Sequence, residues 1–159
     1  MPVRSAALLL HRRRDDVEVY IAHMGGPFWA RKDEGAWSFP KGIVDEGDLG
    51  DELAAARREF AEEIGTPPPD ADYVPLGEFR GSGKTIVVFA AASEFEPGEV
   101  RSNTFELEWP PRSGRRQEFP EVDDAQWFPL DVARTKLTKA QRPILDALLA
   151  RLERDAEMP

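Results

Sequence analysis

Apolar positions along the chain fall into short runs of two different periods, broken by glycine, proline and charge. Ala6 to Leu10 is an unbroken aliphatic run, so Val3 to Leu10 is expected as a buried strand. After a turn at Arg14-Asp15-Asp16, Val17, Val19 and Ile21 alternate with Glu18, Tyr20 and Ala22, the two-residue period of a second strand. Gly25-Gly26-Pro27 ends that pair, and Trp37-Ser38-Phe39 is a short strand stopped by Pro40. The period then changes. Asp51 to Ile64 reads as a helix, with Asp51 as N-cap, Glu52 favouring the helix dipole, Ala54 to Ala56 as strong helix formers and Gly65-Thr66-Pro67 as the stop. Tyr73 to Phe79 and Thr85 to Ala92 are strands joined by a turn at Gly81-Ser82-Gly83-Lys84. Glu94 to Glu121 carries four prolines and is expected to be a long, partly irregular excursion, and Ala125 to Phe128 is a last strand. Thr138 caps a C-terminal helix over about 138–155, with Ile144, Leu145, Leu148, Leu149 and Leu152 on one face. Strands and helices mix without a regular βαβ rhythm, which predicts one α/β domain over residues 1–159 with a mixed sheet and helices on its faces.

Composition narrows the class. With 159 residues, 41% hydrophobic and 32% charged, the chain can build a core and is not disordered overall. No apolar run approaches the roughly 18 residues of a membrane span, and the short run after Met1 lacks the length and cleavage site of a signal peptide. With no cysteine, a reducing cytoplasm is the expected location. The net charge of −9 counts against general nucleic-acid binding. It leaves room for a phosphorylated small molecule held through divalent cations, which carboxylates can supply with ligands.

Those carboxylates lie on the first helix. At about 100° per residue, Leu53, Phe60 and Ile64 share one face, and Glu59, Glu62 and Glu63 share another roughly 120° away, joined by Glu52. Ala55 and Ala56 flank this acidic face, leaving room for a ligand beside it. Three carboxylates at i, i+3 and i+4 repel one another unless a cation sits among them, and hard oxygen ligands suit Mg²⁺, with Mn²⁺ also accommodated.

Upstream stands Phe39-Pro40-Lys41-Gly42-Ile43-Val44-Asp45-Glu46-Gly47, and the helix ends Arg58-Glu59-Phe60-Ala61-Glu62-Glu63-Ile64-Gly65. Together, over about residues 42–66, these resemble the Nudix box of the Nudix hydrolase superfamily, which includes the MutT-like enzymes. The box runs Gly, five residues, Glu, seven residues, then Arg-Glu-apolar-any-Glu-Glu-any-Gly-apolar. Gly42, Arg58, Glu59, Phe60, Glu62, Glu63 and Gly65 match it. The spacing from Gly42 to Arg58 is two residues longer than usual, read as an insertion at Leu49-Gly50. Counting forward puts Asp48 at the family's first Glu, and counting back puts Gly50 there. The closing apolar position is Thr66.

The resemblance implies an α/β/α sandwich and Mg²⁺-dependent hydrolysis of a diphosphate linkage in a nucleoside diphosphate joined to another group. It implies that Glu59, Glu62 and Glu63 hold the cations, that Arg58 orients a glutamate, and that Gly42 permits a close loop-to-helix approach. Lys41 is a candidate phosphate contact, against the plain reading of a surface lysine. Downstream, Pro120-Glu121-Val122 ahead of Trp127 is similar to a segment of the branch that cleaves dinucleoside polyphosphates and triphosphorylated RNA 5′ ends. There the glutamate serves as a further metal ligand or general base, which makes Glu121 catalytic by implication, with Glu118 the fallback. Trp29, Trp37, Phe39, Trp109, Phe119 and Trp127 are each a base-stacking or a core residue. Arg112, Arg115 and Arg116 are outer-phosphate ligands or solvated loop residues. The expected substrate is a small-molecule nucleotide, with a dinucleoside polyphosphate first. Nucleoside triphosphates, ADP-ribose and nucleotide sugars are the alternatives, and RNA 5′ ends are disfavoured by the charge. A catalytically silent nucleotide-binding module is the rival class, and the intact Arg58, Glu59, Glu62 and Glu63 count against it.

Overall fold

The computed structural model describes residues 3–45, 48, 50–81 and 83–157, so Leu49 of the expected insertion lies outside the described residues. Among the described residues nine strands and three α-helices follow in order: β1 (Val3–Arg13), β2 (Val17–Met24), β3 (Trp37–Ser38), β4 (Lys41–Ile43), α1 (Glu52–Ile64), β5 (Val74–Gly81), β6 (Lys84–Ala92), β7 (Thr104–Glu108), β8 (Arg116–Pro120), β9 (Val122–Pro129), α2 (Leu130–Lys136) and α3 (Arg142–Glu157). Seven strands form one mixed sheet in the order β3-β2-β1-β6-β5, with β4 pairing β1 and β9 pairing β2. β1 runs parallel to β6 at the centre, and the remaining pairs are antiparallel.

The uninterrupted apolar run of β1 has a direct cause, since both of its faces are covered. Ala7 and Leu9 join Val19 and Ile21 of β2 under Ala133, Leu137, Ile144, Leu145 and Leu148 of the C-terminal helical layer. Ala6, Leu8 and Leu10 join Tyr20 and Ala22 under Phe60 and Ile64 of α1. The result is α1, sheet, then α2 with α3. The alternation seen in β2 therefore separates two buried faces, because Tyr20 and Ala22 are as covered as Val19 and Ile21.

Helix α1 starts where its local chemistry dictates. The Asp51 carboxylate accepts the Ala54 N–H at 2.9 Å, and Gly65, left-handed at φ 83°, ends it. Four expectations change. Ala55 and Ala56 are fully buried against the sheet, where their small side chains let the helix approach closely. Glu52 leaves the acidic face to pair with Arg4, which also pairs with Glu78. The stretch from Glu94 to Glu121 contains a second, two-stranded sheet, the β7–β8 hairpin. Pro110 and Pro111 fall at the turn of that hairpin, Pro120 at its end and Pro97 ahead of it, so they bound the strands rather than break them. Strand β4 and helix α2, at three and seven residues, are too short to show a period. Thr138 precedes a 3-10 turn over Lys139–Gln141 and makes no side-chain cap, and α3 proper begins at Arg142. Among the described residues no helix is long and apolar enough to cross a membrane.

Candidate active site

Strand β4 and helix α1 are set against each other at van der Waals range, and Gly42 is why. A Cβ built there would lie 2.0 Å from Cδ and 2.3 Å from Cγ of Glu59, so only glycine leaves the glutamate its place. Gly42 pairs with Ala6 of β1, on the α1 side of the sheet, whereas Lys41 pairs with Ala7 on the opposite side. The Lys41 main-chain N–H donates to Glu63 Oε1 at 3.1 Å, while its side chain lines a cavity on the α3 face. Lys41 thus meets the carboxylates through its main-chain hydrogen bond and through its positive charge, which favours ionised Glu63 and Glu121.

Arg58 is clamped between Asp48, with which it forms a close ion pair, and Glu59, whose Oε1 accepts from Nη2 at 3.0 Å. Asp48 is 8% exposed and its other oxygen accepts the Asp45 N–H at 3.1 Å. Of the two positions that counting left open, Asp48 is the one that meets Arg58. The Arg58 guanidinium holds the Asp48 carboxyl below the usual range. The Asp48–Arg58–Glu59 chain fixes where Glu59 points.

The glutamates carry the opposite signature. Burial pushes Glu63 up to about 7, with Glu121 and Glu59 adding repulsion against the relief given by Lys41. Burial also raises Glu59, opposed by Arg58 and reinforced by Glu62 and Glu121. Glu121 is raised by desolvation and by Glu62. Three carboxylates of α1 and a fourth from the link between β8 and β9 thus act on one another across one space. The main chain holds the two elements together. The Asn103 N–H donates to the Glu62 carbonyl at 2.8 Å, and the Asn103 carbonyl accepts the Glu121 N–H at 2.9 Å. The Glu121 carbonyl accepts from Gly25 at 2.9 Å. Among the described residues no three acidic or imidazole groups are already drawn into a metal-holding cluster. Their oxygen chemistry and mutual repulsion nonetheless fit a hard divalent cation.

The sign of these shifts gives a measurable consequence. A carboxyl whose native pKa is raised holds a proton that the unfolded chain releases. Its stabilising effect is complete below the ordinary value near 4.5 and is lost as pH rises through about 7. Thermal denaturation of metal-free protein should therefore show stability falling between pH 5 and 7.5, by no more than about 1.4 kcal/mol per pH unit for one proton. Glu63→Gln should flatten the slope, and a slope equal in both proteins would contradict the assignment.

The other candidates separate. Trp37 and Phe39 are core. Trp127 packs among Tyr20 and Phe95 with Arg12 over its ring at 4.3 Å, and Trp29 packs at the edge of the α3-side core. Trp109 and Phe119 lie on the hairpin, and Arg112 and Arg115 stand at its turn, separated from Glu121 by the five residues of β8. Two groups escaped the sequence reading. Gln141 is 3% exposed; its Oε1 accepts the Phe39 N–H at 3.0 Å and its Nε2 donates to Ser38 at 2.8 Å, fixing the corner that leads into Lys41 and Gly42. His23 links Asp123, at 2.6 Å, to the Lys32 carbonyl, also at 2.6 Å, and so ties the 25–36 loop beside Glu121. Both are long-range contacts between residues with no motif, which no local pattern signals. The cavity beyond Lys41, of about 250 Å³, is lined by Met24, Phe79 and Ile86 with Ser38, Thr138 and Gln141 among its polar groups.

Comparison with solved structures places this architecture. A C. elegans Ap4A hydrolase in a binary complex superposes with a TM-score of 0.64 at 21% identity, covering 95% of this chain and 98% of that one. The NUDIX domain of Shewanella oneidensis NrtR, complexed with ADP ribose, gives 0.64 at 19%, covering 96% and 89%. A NUDIX hydrolase from Alicyclobacillus acidocaldarius gives 0.62 at 19%, covering 94% and 92%. These likenesses are of fold. No curated protein matches the chain in sequence. The family model described as NUDIX domain matches residues 1–148, and with the sandwich fold and the glutamate-bearing helix in place the chain belongs to the NUDIX family and is a pyrophosphohydrolase.

Proposed function

We propose that the chain hydrolyses a diphosphate linkage in a nucleoside polyphosphate, with a dinucleoside polyphosphate as the preferred substrate and Mg²⁺ as the cation. The observation that carries this reading is the group of glutamates facing one space between α1 and the start of β9, where Glu59, Glu63 and Glu121 are held above the usual carboxylate range first by burial and then by the negative charge of their neighbours, Glu62 among them. Bound there, a divalent cation supplies charge neutralisation at the phosphates and acidifies the attacking water. Glu59, Glu62 and Glu63 would hold it. Arg58 acts through Glu59, keeping its carboxylate aimed inward, and Asp48 keeps Arg58 in place. Glu121 is the group best placed to take a proton from the water, because it comes from a separate element and its raised pKa improves its match to neutral pH. The apolar cavity beyond Lys41 suits the nucleoside end, with the lysine at its rim toward the phosphates. Absence of a membrane-length helix among the described residues is consistent with the proposed cytoplasmic setting.

The test is phosphate release across a panel of diadenosine polyphosphates, nucleoside triphosphates, ADP-ribose, nucleotide sugars and triphosphorylated RNA, with Mg²⁺ and with chelator. Mg²⁺-dependent turnover highest on the diadenosine compounds is the expected result. Nucleotide binding without any turnover would instead establish a silent binding module.

A further inference from the structure

The cavity beyond Lys41 accounts for one nucleoside, yet a second aromatic site stands apart from it. Phe28, in the 25–36 loop, is 57% exposed and meets Trp109 edge to face, with ring centroids 5.4 Å apart at 78°. Among the described residues no other aromatic side chain is exposed to this extent. This pair is also held in place. Gly26 lies directly beneath the Phe105 ring, Phe105 stacks near Phe119 at 6.1 Å, and these contacts fix the loop to the hairpin. Trp109 is pinned through its backbone: its N–H donates to the Arg115 carbonyl at 2.9 Å and its own carbonyl accepts from Gln117 at 2.6 Å.

Charge singles out the same corner. Arg116 pairs with Glu106, and the Glu108 carboxylate accepts the Gly114 N–H, but Arg112 and Arg115 have no ion pair among the described residues. Two guanidinium groups without an ion pair, on the turn that follows the half-buried Trp109, in a chain of net charge −9, match a ligand that is both planar and anionic. The strands joining this corner to Glu121 advance about 14 Å over the four steps from Pro120 to Arg116. A planar group reaches that far only if the substrate continues past the scissile linkage.

We propose that Phe28 and Trp109 stack the distal nucleobase of a two-ended nucleoside polyphosphate, while Arg112 and Arg115 take the phosphates that lead to it. The proposal rests on the hydrolytic reading above for its orientation. It makes the hairpin the element that distinguishes two-ended from one-ended substrates.

The experiment compares diadenosine tetraphosphate with ATP, the latter as substrate or as competitive inhibitor, in wild type, Phe28→Ala, Trp109→Ala, Trp109→Phe and Arg112→Ala/Arg115→Ala. Loss of stacking should raise KM for diadenosine tetraphosphate about tenfold with kcat little changed, and shift its ratio to the ATP constant by the same factor. Trp109→Phe should restore most of it. Equal effects on both substrates, or no effect on either, would overturn the proposal and leave the pair as local packing. Tryptophan fluorescence of metal-free protein gives a readout free of turnover. Diadenosine tetraphosphate should quench it more than AMP does, and Trp109→Ala should abolish the difference. If wild type hydrolyses neither compound but keeps this Trp109-dependent quench, the hydrolytic reading falls and the stacking site stands. If hydrolysis proceeds without the quench, the stacking site falls alone.

Discussion

Glu62→Gln is expected to lower kcat on the preferred substrate by about 10³, a loss of roughly 4 kcal/mol at the transition state, while the protein stays folded. The two halves of that expectation have separate causes. Glu62 sits on α1 away from Phe60 and Ile64, and its carboxylate makes no hydrogen bond or ion pair among the described residues, so the amide removes no native contact. It does remove negative charge that raises both Glu59 and Glu121. Melting of the metal-free variant should therefore occur at or slightly above the wild-type temperature. Cation affinity should fall together with kcat. Measuring kcat, the Mg²⁺ concentration dependence and the melting temperature on one preparation checks all three. Wild-type turnover at saturating Mg²⁺ would remove Glu62 from the site.

Gly42→Ala should separate activity from stability in a different way. The new methyl would coincide with Glu59, but the atoms it meets belong to a flexible side chain, so the fold can yield by swinging the glutamate away. The cost to stability should stay near 1–2 kcal/mol, in the range of a modest overpacking. The cost to catalysis should be larger, about 10²-fold or more, because a displaced Glu59 loses the Arg58 contact that aims it. Gly98→Ala is the matched control, since a Cβ there meets nothing within 4 Å. Steady-state kinetics beside urea denaturation would decide. A variant that loses stability and activity in proportion would mean that Gly42 serves the fold alone.

Helix α1 and its acidic face were legible because every signal was local. The cap at Asp51, the alanines, the glycine stop and the three-four spacing of the glutamates all lie within one element. The central strands were legible for the same reason. What stayed hidden depended on contacts far apart in sequence. The first acidic position of the box was ambiguous between Asp48 and Gly50 because a loop has no period to count by, and the ion pair with Arg58 distinguishes them. Ala55 and Ala56 border the acidic face on a helical wheel, and only docking on β1 shows that they face inward. The prolines of the 94–121 stretch disguised a hairpin whose Phe105, Leu107 and Phe119 do follow the two-residue period. Gln141 supports the Phe39 corner from 102 residues away, a relation no window on the chain could contain.

The main-chain bridge through Asn103 has a consequence for how such a protein can change over generations. Both ends of the excursion from 104 to 120 are tied at one place, Asn103 to the Glu62 carbonyl and Glu121 to Asn103, by groups every residue but proline carries. Mutations, deletions or whole grafted loops between those knots can drift without altering where Glu121 stands relative to α1. The reacting centre can thus be inherited intact while the arm beside it is rewritten, so a lineage can acquire a new diet of substrates without rebuilding its chemistry.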